Sequence, residues 1–162
     1  PKNLNATLSS YNLAGGYNWL LSPNFFGPKM QFSLGINQWT SDIDQSTQVA
    51  FTRMQFGGMY AGFLGTFNLT EGSPWDLGAQ FKFYLTKSVS ESKSSGSSSN
   101  IIMIDFSVFT KYHKTLRMSY VGQLIFENYS AELSGASASR PDPAVKVSHK
   151  NTQLLLGLEY AF

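Results

Sequence analysis

With two histidines and no cysteine, this 162-residue chain has few routes to chemistry. The only serine beside a histidine is Ser148-His149, and Glu159 follows downstream. A nucleophile, its base and an orienting acid must converge within hydrogen-bond reach. Adjacent residues of a strand point to opposite faces, so Ser148 and His149 cannot act as a pair on one strand. Glu159 shares the parity of His149 but lies about 33 Å further along an extended strand. No triad assembles from these residues. His113 falls in a tight turn between Tyr112 and Lys114 and reads as a solvated or interfacial side chain. Two histidines without cysteine make no structural zinc set. The chain is expected not to be an enzyme and to carry no cofactor.

The charged residues are few. Asp, Glu, Lys and Arg make up 14% of the chain, against roughly 25% in ordinary soluble domains, while aromatics reach 15%. The net charge is +2, with the basic residues scattered singly. No basic stripe is present to neutralise a phosphate backbone, which removes support for nucleic-acid binding. Mean hydropathy is −0.16, and no apolar run approaches the roughly 18 residues of a spanning helix.

What positions the charges is a period of two. From Ser10 to Leu21, Tyr11, Leu13, Tyr17, Trp19 and Leu21 share one face. After the Ser22–Pro28 turn, Met30, Phe32, Leu34 and Ile36 do the same, up to a break at Ser41–Gln45. A third segment, Ser46 to Phe56, would carry Ala50, Thr52, Met54 and Phe56 outward and Arg53 inward. Gly57-Gly58 suits a two-residue hairpin turn. The fourth segment runs from Met59 to Leu69 and the fifth from Trp75 to Thr86. Ile102 to Tyr112, Leu116 to Phe126 and the terminal Leu154–Phe162 complete eight segments. No helical period competes, so the expected fold is all-β, one domain over residues 1–162. Residues 1–9 read as an N-terminal extension, 87–100 as a Ser-rich outer loop, and 129–148 as a long outer loop. No basic-then-apolar leader opens the chain at Pro1, so an exported protein would be in its mature form.

The ending Leu154–Phe162, with Leu154, Leu156, Leu158, Tyr160 and Phe162 on one face, resembles the closing strand of bacterial outer-membrane β-barrels. Segment lengths and alternating connection lengths agree with that family. The resemblance is to the small eight-stranded members typified by the OmpA transmembrane domain, OmpX and NspA. It implies a closed antiparallel up-and-down transmembrane barrel of eight strands, with both termini periplasmic. Large apolar side chains then face lipid, because a small barrel has no room for them inside. A polar interior network of Arg53, Asp76, Lys82, Asp105, Lys111, Arg117, Glu127 and Glu159 is expected. Interface aromatics would be Tyr11, Trp75 and Tyr112 at the periplasmic edge and Trp19 nearer the outer one. A soluble lipocalin is disfavoured, since its Gly-x-Trp motif is here one residue longer, Gly16-Tyr17-Asn18-Trp19.

The resemblance further implies outer-membrane lipids and lipopolysaccharide as surroundings. Barrel assembly machinery would recognise Tyr160 and Phe162, and a protein partner could meet the outer loops. The expected function is a structural or adhesin-like outer-membrane protein, with a narrow pore as the alternative. A lipid A-modifying enzyme is the remaining, weaker reading: such deacylases place His and Ser two apart on one strand face, which this chain does not.

Overall fold

The structure is a computed structural model that describes residues 6–23, 27–43, 53–70, 72–91, 97–135 and 144–160. Among the described residues, eight strands form one antiparallel sheet: β1 (Ala6–Leu20), β2 (Lys29–Ile43), β3 (Arg53–Asn68), β4 (Trp75–Tyr84), β5 (Ser88–Glu91), β6 (Ser97–His113), β7 (Met118–Ser134) and β8 (Ala144–Tyr160). The pairing order is β1-β2-β3-β4-β6-β7-β8, with β5 beside the start of β3. No helix among the described residues is long and apolar enough to cross a membrane.

Two of the expected strands are one. Gly57-Gly58 is not a hairpin but the interior of β3, which pairs with β2 without a break from Arg53↔Asp42 to Thr66↔Lys29. The extra strand expected at Ser46 to Phe56 is therefore not a separate traverse: its described end belongs to β3, and residues 46–52 lie outside the described set. In exchange, β4 and β5 together make one long traverse interrupted by a β-bulge. The β3 partners are Tyr60↔Tyr84 on one side of it and Gly57↔Ser88 on the other, one residue more on the second strand. The amides of Leu85 and Thr86 both donate to the Met59 carbonyl, at 2.8 and 3.3 Å. Such a bulge reverses side-chain parity, so Val89 faces the same side as Tyr84.

Gly58 is what the bulge needs. A Cβ there would sit 2.0 Å from the Thr86 carbonyl oxygen, whereas one on Gly57 would meet nothing nearer than 3.4 Å.

The sheet curls strongly. Asn37 of β2 donates to Tyr129 of β7 across the concave face at 3.1 Å. Trp39 of β2 also packs against His149 of β8, ring centroids 3.9 Å apart and planes tilted by 34°. Yet β1 and β8 do not pair, so the architecture is an open half-barrel and the expected closure is not seen. The physical reason is one of count. Among the described residues the sheet has seven full traverses rather than eight, which leaves β1 and β8 running in the same direction.

That odd number also sets where β1 starts and β8 stops. Leu20, Trp75, His113, Met118 and Tyr160 lie at one end of the sheet, joined there by tight connections such as 69–74 and 114–117. Ala6, Ile43, Arg53, Ser97, Ser134 and Ala144 lie at the other. The start of β1 and the end of β8 are thus at opposite ends, not the same one. The expected extension and loops shorten too. β1 begins at Ala6, Ser88–Glu91 and Ser97–Asn100 of the Ser-rich run are strand, and β7 continues through Tyr129 to Ser134.

Convex and concave faces differ sharply. The convex side carries Leu34, Phe63, Phe81, Phe106 and Leu156 in the open, Leu156 at 81% exposure. Following hydrogen-bonded neighbours, one row reads Tyr17–Phe32–Phe63–Phe81–Phe106–Phe126 across six strands. Phe32 and Phe63 meet edge-to-face at 5.2 Å, and Phe106 and Phe126 stack at 6.2 Å. Cross-strand aromatic pairs each add roughly 0.2–1 kcal/mol over Ala–Ala. The concave side instead holds the buried core: Trp39, Met54, Phe56, Tyr60, Tyr84, Met103, Tyr129, Ala131 and Leu133.

Candidate functional site

The concave face is layered along the strands. Towards the Ser97–Ser134 end it is apolar and aromatic, with Phe56 2% and Tyr129 fully buried. Met54 and Phe56 belong here because β3 continues through Gly57-Gly58 and keeps the parity of Tyr60. The expectation that both face outward is therefore reversed, and Tyr129, expected in a loop, is the most buried aromatic side chain.

The middle layer is a hydrogen-bonded polar knot. The amide of Asn37 donates to both Tyr84 Oη (2.6 Å) and Tyr129 Oη (3.1 Å). Tyr84 in turn donates to Asp105 Oδ2 at 2.7 Å. Lys82 Nζ lies 3.4 Å from the same carboxylate oxygen and 5.0 Å from the Tyr60 ring centroid. The second oxygen, Asp105 Oδ1, is buried without a hydrogen-bond partner. It lies beside a cavity of about 70 Å³ lined by Gln80, Lys82, Ser107 and Gln123. A volume of that size accommodates a water molecule, and such polar partners suit one. On β7 and β8, Glu127 accepts from Asn151 at 2.9 Å, with His149 Nε2 3.9 Å away.

The third layer closes the tight-turn end. Asp76 Oδ2 lies 2.7 Å from His113 Nε2, and His113 Nδ1 lies 2.8 Å from Ser119 Oγ. Asp76 also accepts from Asn68 at 2.9 Å. A carboxylate oxygen accepts from Nε2–H, and in a neutral imidazole so oriented Nδ1 accepts from the Ser119 hydroxyl. The order acid–imidazole–hydroxyl is the wiring of a nucleophilic site. A cavity of about 640 Å³ adjoins it, lined by Phe67, Asn68, Pro74, His113 and Leu116 among others. Ser119, however, is buried and not part of the cavity wall. The chain of bonds ties β4, β6 and β7 together.

The other expected interior residues divide. Lys111 Nζ binds Glu159 Oε2 at 2.6 Å near the same end, with Glu159 half-exposed because β8 is an edge. Arg53 faces the convex side, since it shares the parity of Met59, and pairs with Asp42 at 3.5 Å near the far end. Arg117 sits exposed in the 114–117 turn rather than inside. Trp75 and Tyr112 lie side by side at the tight-turn end, rings 4.9 Å apart, with Tyr120 stacked next at 6.4 Å. Trp19 shares that end, while Tyr11 lies towards the other, hydrogen-bonded to Gln38 at 2.5 Å. The two exchange the ends expected of them, because β1 runs opposite to the eight-traverse reading. Phe162 lies outside the described residues.

Sequence reasoning missed Ser119 and the Asn37–Tyr84–Tyr129 knot. The first had a signal: a hairpin centred on 114–117 makes His113 and Ser119 a cross-strand pair. The second had none, since it joins β2, β4 and β7 across the curl. Among the described residues no group of three or more His, Asp or Glu could hold a metal ion. The chain matches no protein-family model, no curated protein and no solved structure.

Proposed function

We propose that this chain is an integral outer-membrane β-barrel protein, non-enzymatic, whose role is structural or partner-binding through the segments at its Ser97–Ser134 end. The observation that carries the reading is the convex face: large apolar side chains stand exposed there on every long strand, while the charges Asp76, Lys82 and Asp105 are turned inward and paired. Soluble monomers rarely expose a contiguous apolar surface beyond a few hundred Å². Each such side chain gains roughly 1.5–3 kcal/mol on leaving water for hydrocarbon. Lipid supplies that burial without a partner protein. In this reading lipids and lipopolysaccharide surround the belt, the tight turns face the periplasm, and the Tyr160 strand is presented to the assembly machinery.

The packed concave face favours this role over a pore. Trp39, Phe56 and Tyr129 pack the concave face on one side of the polar knot, and Asp76–His113–Ser119 ties the other. Expression followed by membrane fractionation tests the reading: the chain should require detergent for extraction and migrate differently on gels before and after boiling. Recovery as a detergent-free soluble monomer would overturn it. Steady single-channel openings in planar bilayers would transfer the function to the pore.

A further inference from the structure

The two edges of the sheet are matched to a single missing strand. β1 and β8 run in the same direction, so pairing them directly would put one parallel ladder into an otherwise antiparallel sheet. Antiparallel completion takes an odd number of added strands. The curl decides which odd number. Passing from β2 through β1 and one added strand to β8 covers three strand spacings of about 4.8 Å, or roughly 14 Å. Two aromatic side chains facing each other bridge that span, as Trp39 and His149 do with ring centroids 3.9 Å apart. Three added strands would make five spacings, roughly 24 Å of arc, too wide for that contact.

Side-chain exposure points to the same place. The exposed large apolar residues on strands belong to the convex face with three exceptions, Leu8 and Leu20 of β1 and Leu155 of β8. These have the parity of Asn12 and His149, which face inward, and all three sit on the two strands that flank the opening. Inward positions of β2 such as Ser33, Asn37 and Trp39 are buried, whereas Asn12, Ala14 and Asn18 of β1 are exposed.

We infer that the seam between β1 and β8 is a strand-acceptor site for one amphipathic polypeptide strand supplied from outside these 162 residues. The strand runs antiparallel to both edges and turns β1–β8 into a closed eight-traverse barrel. It has about the 15-residue length of β1, large apolar side chains at alternate positions towards the convex face, and small or polar ones between them to cover Leu8, Leu20 and Leu155. A second copy in the same membrane orientation does not serve, because its β1 would again lie parallel to β8. The inference rests on the membrane reading, since lipid offers no hydrogen bonds to an open sheet edge.

The test is hydrogen exchange on the whole chain in detergent micelles, with and without a synthetic 15-residue peptide alternating Leu, Phe or Tyr with Ser, Gly or Asn. Partitioning of the chain alone into lipid vesicles is measured separately, so failure of the membrane reading is seen there and not confused with failure at the seam. Expected are a 1:1 complex by native mass spectrometry and at least tenfold slower exchange of the edge amides of both β1 and β8. A peptide of identical composition with its period of two scrambled should do neither. Edge amides already protected without peptide would mean direct closure and overturn the inference. So would protection of one edge only, a peptide without effect, or a complex holding two copies of the chain.

Discussion

Asp105 is the residue on which the polar knot turns. It accepts from Tyr84, neutralises Lys82 and has almost no exposure to water. Removing one partner of a buried pair strands the other, at a cost of about 3–5 kcal/mol. Asp105→Ala is therefore expected to lower the urea midpoint in micelles by that equivalent, and Asp105→Asn by less, because an amide still accepts from Tyr84. A midpoint unchanged in D105A would show that the lysine and tyrosine find water instead. Tyr129→Phe keeps the ring in the core and removes only its hydroxyl. Its expected cost is about 0.5–1.5 kcal/mol, read from the same transition. Most of these residues were legible as inward-facing from their parity: Asp76, Lys82, Asp105 and Glu159 stand between large apolar neighbours, and Lys111 and Glu127 each have an aromatic on one side. Their partners were not, because a period of two gives a face but not a neighbour two strands away.

At the scale of the strand, the region from Arg53 to Glu91 teaches most. Gly-Gly between two alternating runs has the composition of a turn, yet here it serves a bulge on the neighbouring strand. A Gly58 Cβ would collide with the Thr86 carbonyl, a backbone atom that cannot move without breaking the ladder. Gly58→Ala is expected to destabilise by about 1–3 kcal/mol, the usual cost of overpacking. Gly57→Ala should cost clearly less, since its new methyl meets only ordinary contacts. Equal effects of the two, measured by thermal or urea unfolding, would contradict the bulge. The misassignment had a large consequence. Taking Gly57-Gly58 as a turn adds one traverse, and every strand before it then runs the wrong way. That is why Tyr11 and Trp19 exchange ends and Met54 and Phe56 exchange faces.

For the whole molecule, the question is which solvent the convex face meets. Phe106 lies in the aromatic row and stacks on Phe126. Phe106→Arg places a charge on that face, where hydrocarbon at the bilayer midplane would penalise it by about 2–4 kcal/mol. In water, a 40% exposed position would tolerate the change within about 0.5 kcal/mol, aside from the lost ring pair. Folding yield into vesicles against refolding in detergent-free buffer separates the two outcomes. A yield into vesicles as high as that of the unmodified chain would count against a lipid-facing belt.

Alternation along the chain is enough to read the described segments as strands, to say which residues of most of them share a face, and to turn Asp76, Lys82, Asp105, Lys111, Glu127 and Glu159 away from the large apolar side chains. Those are local properties, set by alternation of side chains along an extended backbone. The number of traverses emerges only from strand pairing, because a strand that passes through two glycines and one that turns at them have the same composition. From that count follow the direction of β1, the open seam beside β8 and the opposite placement of the two ends. The contacts across the curl, Asn37 to Tyr129 and Trp39 to His149, depend on the radius to which seven paired traverses bend. No local pattern encodes that radius.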